Sequence, residues 1–313
     1  MFNLNAKINN KKILIYGFGK SGQSSYNYLK NLNKVFVFDD YKKIKKYFIS
    51  KKKVQSTIFD YIVLSPGIDI NKCKLKRYLN KNRNKIITDL DIFHINNEKN
   101  LKITITGTNG KSTTAKLLFE ILKDQKKDVI LAGNIGIPIL SKRNIKKSTI
   151  FVIEASSYQI DYSQYFRTDY AFILNISPDH LERHKTIENY THAKFKLILN
   201  QNKNYFSFIE NNKYLNKEIQ KYKTKSKFRM CRERLTHDDA NLCVQGKAFG
   251  IYVVKAEDSD AKADSRYVMV RIFCFGWHGV IGTRFLKLYF PPIHLYGDED
   301  IEREAVLKAT NEG

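Results

Sequence analysis

"ITITGTNGKSTTAKLLFEIL", residues 103–122, opens with alternating β-branched residues and ends with Ala115, Leu118, Phe119 and Leu122 at helical spacing. Between the two runs lies a turn of Thr, Gly and Asn. A strand that passes through such a turn into a helix aims unpaired N–H groups, and the positive end of the helix dipole, at one point where an anion can sit. The usual phosphate loop is G-x-x-x-x-G-K-[ST]. Counted back from Gly110-Lys111-Ser112, its first glycine falls at position 105, where Ile105 stands. The segment is therefore a broken phosphate loop, a chance match, or a phosphate loop with a different rule. On the phosphate reading, Gly107, Thr108, Asn109, Gly110, Lys111, Ser112 and Thr113 wrap the anion. Lys111 reaches the β- and γ-phosphates, and Ser112 or Thr113 ligates Mg²⁺.

Downstream, "TIFVIE" is a buried strand that closes on Glu154, whose hard carboxylate oxygens suit Mg²⁺. "DYAFILNIS" is another strand, followed by Pro178-Asp179-His180. Glu154 and His180 thus both fall at carboxyl ends of strands, where open α/β sheets bind ligands. "DVILAG" reads as a further strand and "TIENYTHAKFKLIL" as a helix. Upstream, residues 12–93 repeat the alternation: "KILIY", "VFVFDD" and "FDYIVLSPGI" are strands, with a helix in "SGQSSYNYLKNL". Strands alternating with helices predict parallel α/β sheets, twice over. Gly17-Phe18-Gly19-Lys20-Ser21-Gly22 is a G-x-G-x-x-G run between strand and helix, and Asp39 ends the next strand. That is the context of a dinucleotide fingerprint. On its own it supports a nicotinamide-dependent dehydrogenase, or a tight turn with no ligand.

Net charge is +24. Residues 1–228 hold 38 Lys and 25 Asn, together with much Ile, Tyr and Phe, a bias that AT-rich codons produce without any binding partner. The lysines are scattered and no basic stripe emerges, so nucleic-acid binding is not expected. No apolar run is long enough to span a membrane, and "MFNLNAKINNKK" lacks the apolar core of a secretion signal. Four cysteines without a C-x-x-C pair suit reduced thiols, and the expectation is a cytoplasmic monomer. The composition changes abruptly at Arg229: residues 229–313 hold 5 Lys and 2 Asn and net −1. This reads as a join between sequences of different history. The organisation expected is 1–93, 94–228 and a tail, 229–313. In the tail "FGIYVVKA", "RYVMVRIFCFGW" and "RFLKLYF" read as strands and "DEDIEREAVLKA" as a helix, a mixed α/β piece.

"TGTNGKST", "GNIG" (133–136), "EASSYQ" (154–159), "LNISPDHLERH" (174–184) and "AKFKL" (193–197) occur in an order and spacing that resemble the Mur ligases. The resemblance covers about residues 10–228. It answers the question of the missing glycine, because this family's loop is T-G-T-N-G-K-[ST]. It implies a Rossmann-like N-terminal domain that binds a UDP-substrate instead of NAD, followed by a P-loop-type ATP-binding domain. "GFGKSG" and "SPGI" (65–68) point to the branch whose substrates are UDP-N-acetylmuramoyl-L-alanine and D-glutamate. Gly17, Gly19, Ser21, Gly22 and Asp39 (or Asp40) are then expected to hold uridine and diphosphate, with Ser65, Pro66 and Gly67 nearby. Asn134, and Ser156 or Ser157, lie beside the muramoyl group. Lys111 binds ATP phosphates, Ser112 and Glu154 hold one Mg²⁺, and His180 helps hold a second. Lys194 matches a lysine carbamylated by CO₂, whose anionic form can ligate Mg²⁺ where an ammonium repels it. The implied chemistry is phosphorylation of a carboxylate by ATP and attack of an amine on the acyl phosphate. The family's third domain is not recognisable after about Phe228, so the chain is expected to be catalytically incomplete, with a non-catalytic nucleotide- or UDP-sugar-binding fragment as the alternative.

Overall fold

The computed structural model describes residues 8–41, 47–142, 145–222, 224–231, 250–255 and 268–273. The chain divides into two units, 1–231 and 232–313.

The first unit begins with β1 (Lys12–Tyr16), α1 (Lys20–Leu29), β2 (Lys34–Phe38), α2 (Lys51–Gln55), β3 (Tyr61–Leu64), α3 (Lys76–Lys81), β4 (Ile86–Ile87) and α4 (Asp89–Asn96). Its four strands form a parallel sheet of order β2-β1-β3-β4. Then follow β5 (Lys102–Thr106), α5 (Lys111–Asp124), β6 (Val129–Gly133), β7 (Ile150–Glu154), α6 (Ser157–Asp161), β8 (Tyr170–Ile173), α7 (Leu181–His184), α8 (Ile187–Leu199), β9 (Phe206–Glu210), α9 (Lys213–Lys221) and β10 (Lys227–Cys231). These strands make a parallel sheet of order β10-β9-β8-β5-β7-β6.

Strands covered on both faces are apolar at nearly every position, as β7 is, and β5 buries its polar residues by hydrogen bonding: Lys102 Nζ donates to the Asn100 carbonyl at 2.6 Å and Thr104 Oγ1 to Thr168 Oγ1 at 2.8 Å. The strand order reverses at β1 in the first sheet and at β5 in the second. A crevice opens at such a reversal, outside the carboxyl end of the strand. Both glycine-rich turns leave these two strands, so the topology sets each turn at the mouth of a crevice.

Two sequence-based boundaries fall inside regular structure. Position 93/94 lies within α4, and 228/229 lies within β10, so the compositional change comes before the first unit ends. The "VFVFDD" strand stops at Phe38 because the aspartates turn back: Asp39 Oδ2 accepts the Phe18 N–H at 2.7 Å and Asp40 Oδ1 the Tyr16 hydroxyl at 2.8 Å. α4 starts with a capping box between Thr88 and Asp91. The Asp91 carboxylate also accepts Ser163 Oγ at 2.6 Å and the Tyr165 and Phe166 N–H groups at 2.7 and 2.9 Å. One buried acid thereby ties the end of the first sheet to the chain that follows α6.

In the second unit β11 (Gly250–Lys255) and β12 (Val268–Phe273) pair antiparallel, with Gly250 opposite Phe273. They fall within two of the expected tail strands. "RFLKLYF" and the expected final helix lie outside the described residues. Among the described residues no helix is long and apolar enough to cross a membrane.

Candidate functional site

The turn after β5 is built around two glycines. Gly110 is left-handed (φ 77°) at the N-cap of α5, and Gly107 has φ 152°. Asn175, after β8, holds the turn's outer edge: its Oδ1 accepts the N–H groups of Thr108 and Asn109 at 3.0 and 2.8 Å. No side chain caps α5, and the amides of a helix's first turn have no helical acceptor. Lys111, Ser112 and Thr113 occupy that turn, Thr113 exposed to solvent.

Lys111 is folded back over the loop, its Nζ donating to the Thr108 carbonyl at 2.7 Å. Burial pushes its pKa down. Glu154, only 1% exposed at the end of β7, accepts Ser112 Oγ on Oε2 and Asn134 Nδ2 on Oε1, both at 2.8 Å. Three polar side chains from three elements thus meet beside the loop. Lys194 is also 1% exposed. Its Nζ donates to the Gly107 carbonyl at 2.8 Å and lies 4.5 Å from the Tyr190 ring centre. Burial first, and then the Lys111 charge, push its pKa down to about 7.

His180, left-handed at φ 53°, caps α7 with a half-exposed ring. Its nitrogens lie 3.4 Å from Asp179 and 3.8 Å from Glu182, and its ring 4.9 Å from Tyr158. Among the described residues no three His, Cys, Asp or Glu side chains gather as a metal cluster. The geometry joins Ser112, Glu154 and Asn134, while the His180 ring lies against Asp179, Glu182, Tyr158 and Tyr190. Ser157 is buried and hydrogen-bonded at 3.0 Å to His184 Nε2, while Ser156 is half-buried and caps α6. Of the two serines expected beside a substrate, Ser157 is thus withdrawn into the core.

The turn after β1 is assembled differently. Gly17 is left-handed (φ 91°), and its carbonyl accepts Ser65 Oγ at 2.8 Å. A Cβ on Gly22 would stand 2.0 Å from the Gly17 oxygen, which only glycine avoids. Asp39 occupies the Phe18 amide. Ser21 Oγ donates to buried Asp89 at 2.6 Å. Pro66 and Ile68 present their carbonyls to Arg183, at 2.6 Å from Nη1 and 3.0 Å from Nη2. Sequence reasoning singled out none of Asp89, Asn175 and Arg183. Asn175 and Arg183 lie within the quoted "LNISPDHLERH", and Asp89 follows the legible cap residue Thr88.

A hydroxyl beside a buried carboxylate offers hard oxygens for a divalent cation, and the first turn of α5 offers amides to a phosphate. Gly110 supplies the left-handed turn into α5, and Gly107 lets the loop pack closely on Leu174 and Asn175, where a Cβ would meet Leu174 Cβ at 3.1 Å. Together these features suit an α/β protein that holds a phosphate beside a divalent cation.

The comparison with known proteins is specific. The Mur ligase middle domain model matches residues 105–263. The UDP-N-acetylmuramoylalanine–D-glutamate ligase of Caldicellulosiruptor bescii is 36% identical over 208 residues, 61% of this chain and 45% of that protein. The enzyme of the same name from Rickettsia bellii is 37% identical over 209 residues, 64% of this chain and 46% of that one. A solved structure, the UDP-N-acetylmuramate:L-alanyl-gamma-D-glutamyl-meso-diaminopimelate ligase from Neisseria meningitides, covers 84% of this chain and 85% of its own at 14% identity and TM-score 0.49. The chain belongs to the Mur ligase family, ATP-dependent ligases of peptidoglycan synthesis. It spans about half the length of the curated relatives it matches.

Proposed function

We propose that residues 1–231 form the UDP-substrate-binding and ATP-binding parts of a ligase that joins D-glutamate to UDP-N-acetylmuramoyl-L-alanine through an acyl phosphate. The observation that carries the reading is the meeting of Ser112, Asn134 and buried Glu154 beside the loop 106–113, with Lys111 over the loop and Lys194 beneath it.

In this reading α5's first-turn amides and Lys111 hold the β- and γ-phosphates and neutralise the phosphoryl group as it moves to the L-alanyl carboxylate. Ser112 and Glu154 would hold one Mg²⁺, which supplies further charge neutralisation when bound. Asn134 positions the muramoyl side of the substrate from the other oxygen of Glu154. His180, with Asp179 and Glu182 beside its ring, would help hold a second ion. Lys194 is well placed for carbamylation. Its pKa near 7 leaves much of the amine neutral at neutral pH, and only a neutral amine attacks CO₂. The amine-binding pocket for D-glutamate is not assigned to any described residue.

The glycine turn 17–22, with Asp39 and the 65–68 loop, is read as the UDP subsite. Isothermal titration of the full chain tests both sites. UDP-N-acetylmuramoyl-L-alanine and the Mg²⁺ complex of a non-hydrolysable ATP analogue are expected to bind, and NADH is not. Binding of NADH with no response to the UDP-substrate would overturn the reading in favour of a dehydrogenase. Transfer of D-[¹⁴C]glutamate to the UDP-substrate separates a complete ligase from a binding fragment.

A further inference from the structure

Arg183 lies six residues beyond Ser177, a residue after β8 that contacts the 106–113 loop, and reaches back to the loop after β3. Its two Nη atoms fork onto the carbonyls of Pro66 and Ile68, at 2.6 and 3.0 Å. The guanidinium lies 4.2 Å from the Tyr158 ring centre and 5.2 Å from that of Tyr162. Its Nε is buried and has no hydrogen-bond partner among the described residues. A side chain held between two rings, with one donor left unsatisfied, has had its position fixed by something other than its own hydrogen-bond total.

The contacts on either side make a continuous route. Thr108 in the phosphate loop exchanges hydrogen bonds with Ser177, its Oγ1 accepting from the Ser177 N–H at 3.1 Å and donating to the Ser177 carbonyl at 3.2 Å. The chain then runs through His180 into α7 and Arg183. Arg183 grips the 66–68 loop, and the neighbouring Ser65 Oγ donates to the Gly17 carbonyl at 2.8 Å. The two glycine turns are thus joined by hydrogen bonds and one short helix, a route in which Arg183 makes the crossing from α7 to the 66–68 loop. A contiguous network of this kind can carry coupling, and a measured coupling free energy establishes it.

We propose that Arg183 is a positioning residue that couples the two sites. Occupation of the 106–113 loop by a nucleoside triphosphate and occupation of the 17–22 and 65–68 loops by a nucleoside-diphosphate sugar each raise the affinity for the other, through the Arg183 fork. The proposal rests on the assignment of the two loops made above.

The test measures the affinity of the full chain for Mg²⁺-AMP-PNP with and without saturating UDP-N-acetylmuramoyl-L-alanine. The ratio of the two affinities is expected to be about 5-fold or more in the unaltered protein. It should fall below about 2-fold in Arg183→Ala. Arg183→Lys, which keeps the charge but cannot fork onto two carbonyls, should give the same loss and carries the test where the alanine variant does not fold. Gln164→Ala is the control. It removes a different link to the first sheet, from Gln164 Nε2 to the Ile86 carbonyl at 2.7 Å, and should leave the ratio unchanged. Loss of the ratio in both Arg183 and Gln164 variants would show a general structural role and overturn the proposal. So would two ligands that bind the unaltered chain without affecting each other. Failure of the unaltered chain to bind either ligand would overturn the site assignment itself, and the coupling with it.

Discussion

The two glycine turns share one backbone device and differ in charge. Each leaves the strand at which its sheet reverses and runs straight into a helix with no side-chain cap. The turn at 17–22 is surrounded by carboxylates: Asp39 on the Phe18 amide, Asp89 on Ser21, Asp40 on Tyr16. The turn at 106–113 has two lysines, half-buried Lys111 and buried Lys194, with the carboxylates of Glu154 and Asp179 acting on both. A glycine pattern therefore states that a backbone can approach a ligand. The buried charges state which ligand. A lysine folded over the loop suits a triphosphate, and carboxylates around a loop suit sugar and base hydroxyls with fewer phosphates.

The strongest way to break this comparison is Lys111→Ala. Removing a half-buried cation aimed at phosphates should lower affinity for Mg²⁺-AMP-PNP by about 100-fold or more, while UDP-N-acetylmuramoyl-L-alanine binding at the other turn changes little. Titration of both ligands measures it, and circular dichroism confirms the fold. Unchanged nucleotide affinity would mean that the charge difference between the turns does not select the ligand.

A smaller effect separates backbone from charge in the first turn. Gly22→Ala places a Cβ 2.0 Å from the Gly17 oxygen, so the strand-to-helix crossing must open. We expect a loss of about 2–3 kcal/mol in urea unfolding. Gly67→Ala, in the loop beside it, meets nothing within 4 Å and should stay within about 0.5 kcal/mol. Equal effects at the two positions would show that the first turn is not held by the Gly17–Gly22 contact.

Much of this was legible in the sequence, for definable reasons. β7 was readable because a parallel strand buried on both faces is apolar at nearly every position, β5 from its run of β-branched residues, and α5 because Ala115, Leu118 and Leu122 recur on one face. Glu154 was readable because it ends such a strand. The partners of these residues were not. Asn175 shapes the phosphate loop from 66 positions away, and nothing local marks its side chain as an acceptor for two amides. Arg183 was one basic residue in a lysine-rich surface until the fold brought it to the 66–68 carbonyls. His180 shows the reverse. The expected strand "DYAFILNIS" stops at Ile173, and His180 stands seven residues further on in a left-handed turn that sets its ring beside Asp179 and Glu182; no periodicity reports such a turn.

The last test concerns Lys194, the buried lysine that the first turn lacks, through the slope of stability with pH. Its pKa is about 7 in the folded chain, against 10.5 in the unfolded one. Between about pH 7 and 10.5 the unfolded state binds a proton there that the folded state does not. Stability contributed by this group therefore rises with pH across that window. Below about 7 the folded state must also take up the proton, and its burial penalty is then fully felt. The slope cannot exceed about 1.4 kcal/mol per pH unit for one group, and relaxation of the site will make it smaller. Urea unfolding at several pH values, in CO₂-free buffer, should show this slope in the unaltered chain and lose it in Lys194→Met, which keeps the apolar stem and removes the titrating amine. Added ¹³C-bicarbonate at pH 8 should give a carbamate carbon signal that is absent in Lys194→Met and lost on acidification to pH 5, where the amine is protonated. A slope that survives the substitution would place the titration on another group and leave Lys111 as the sole functional cation of the second turn.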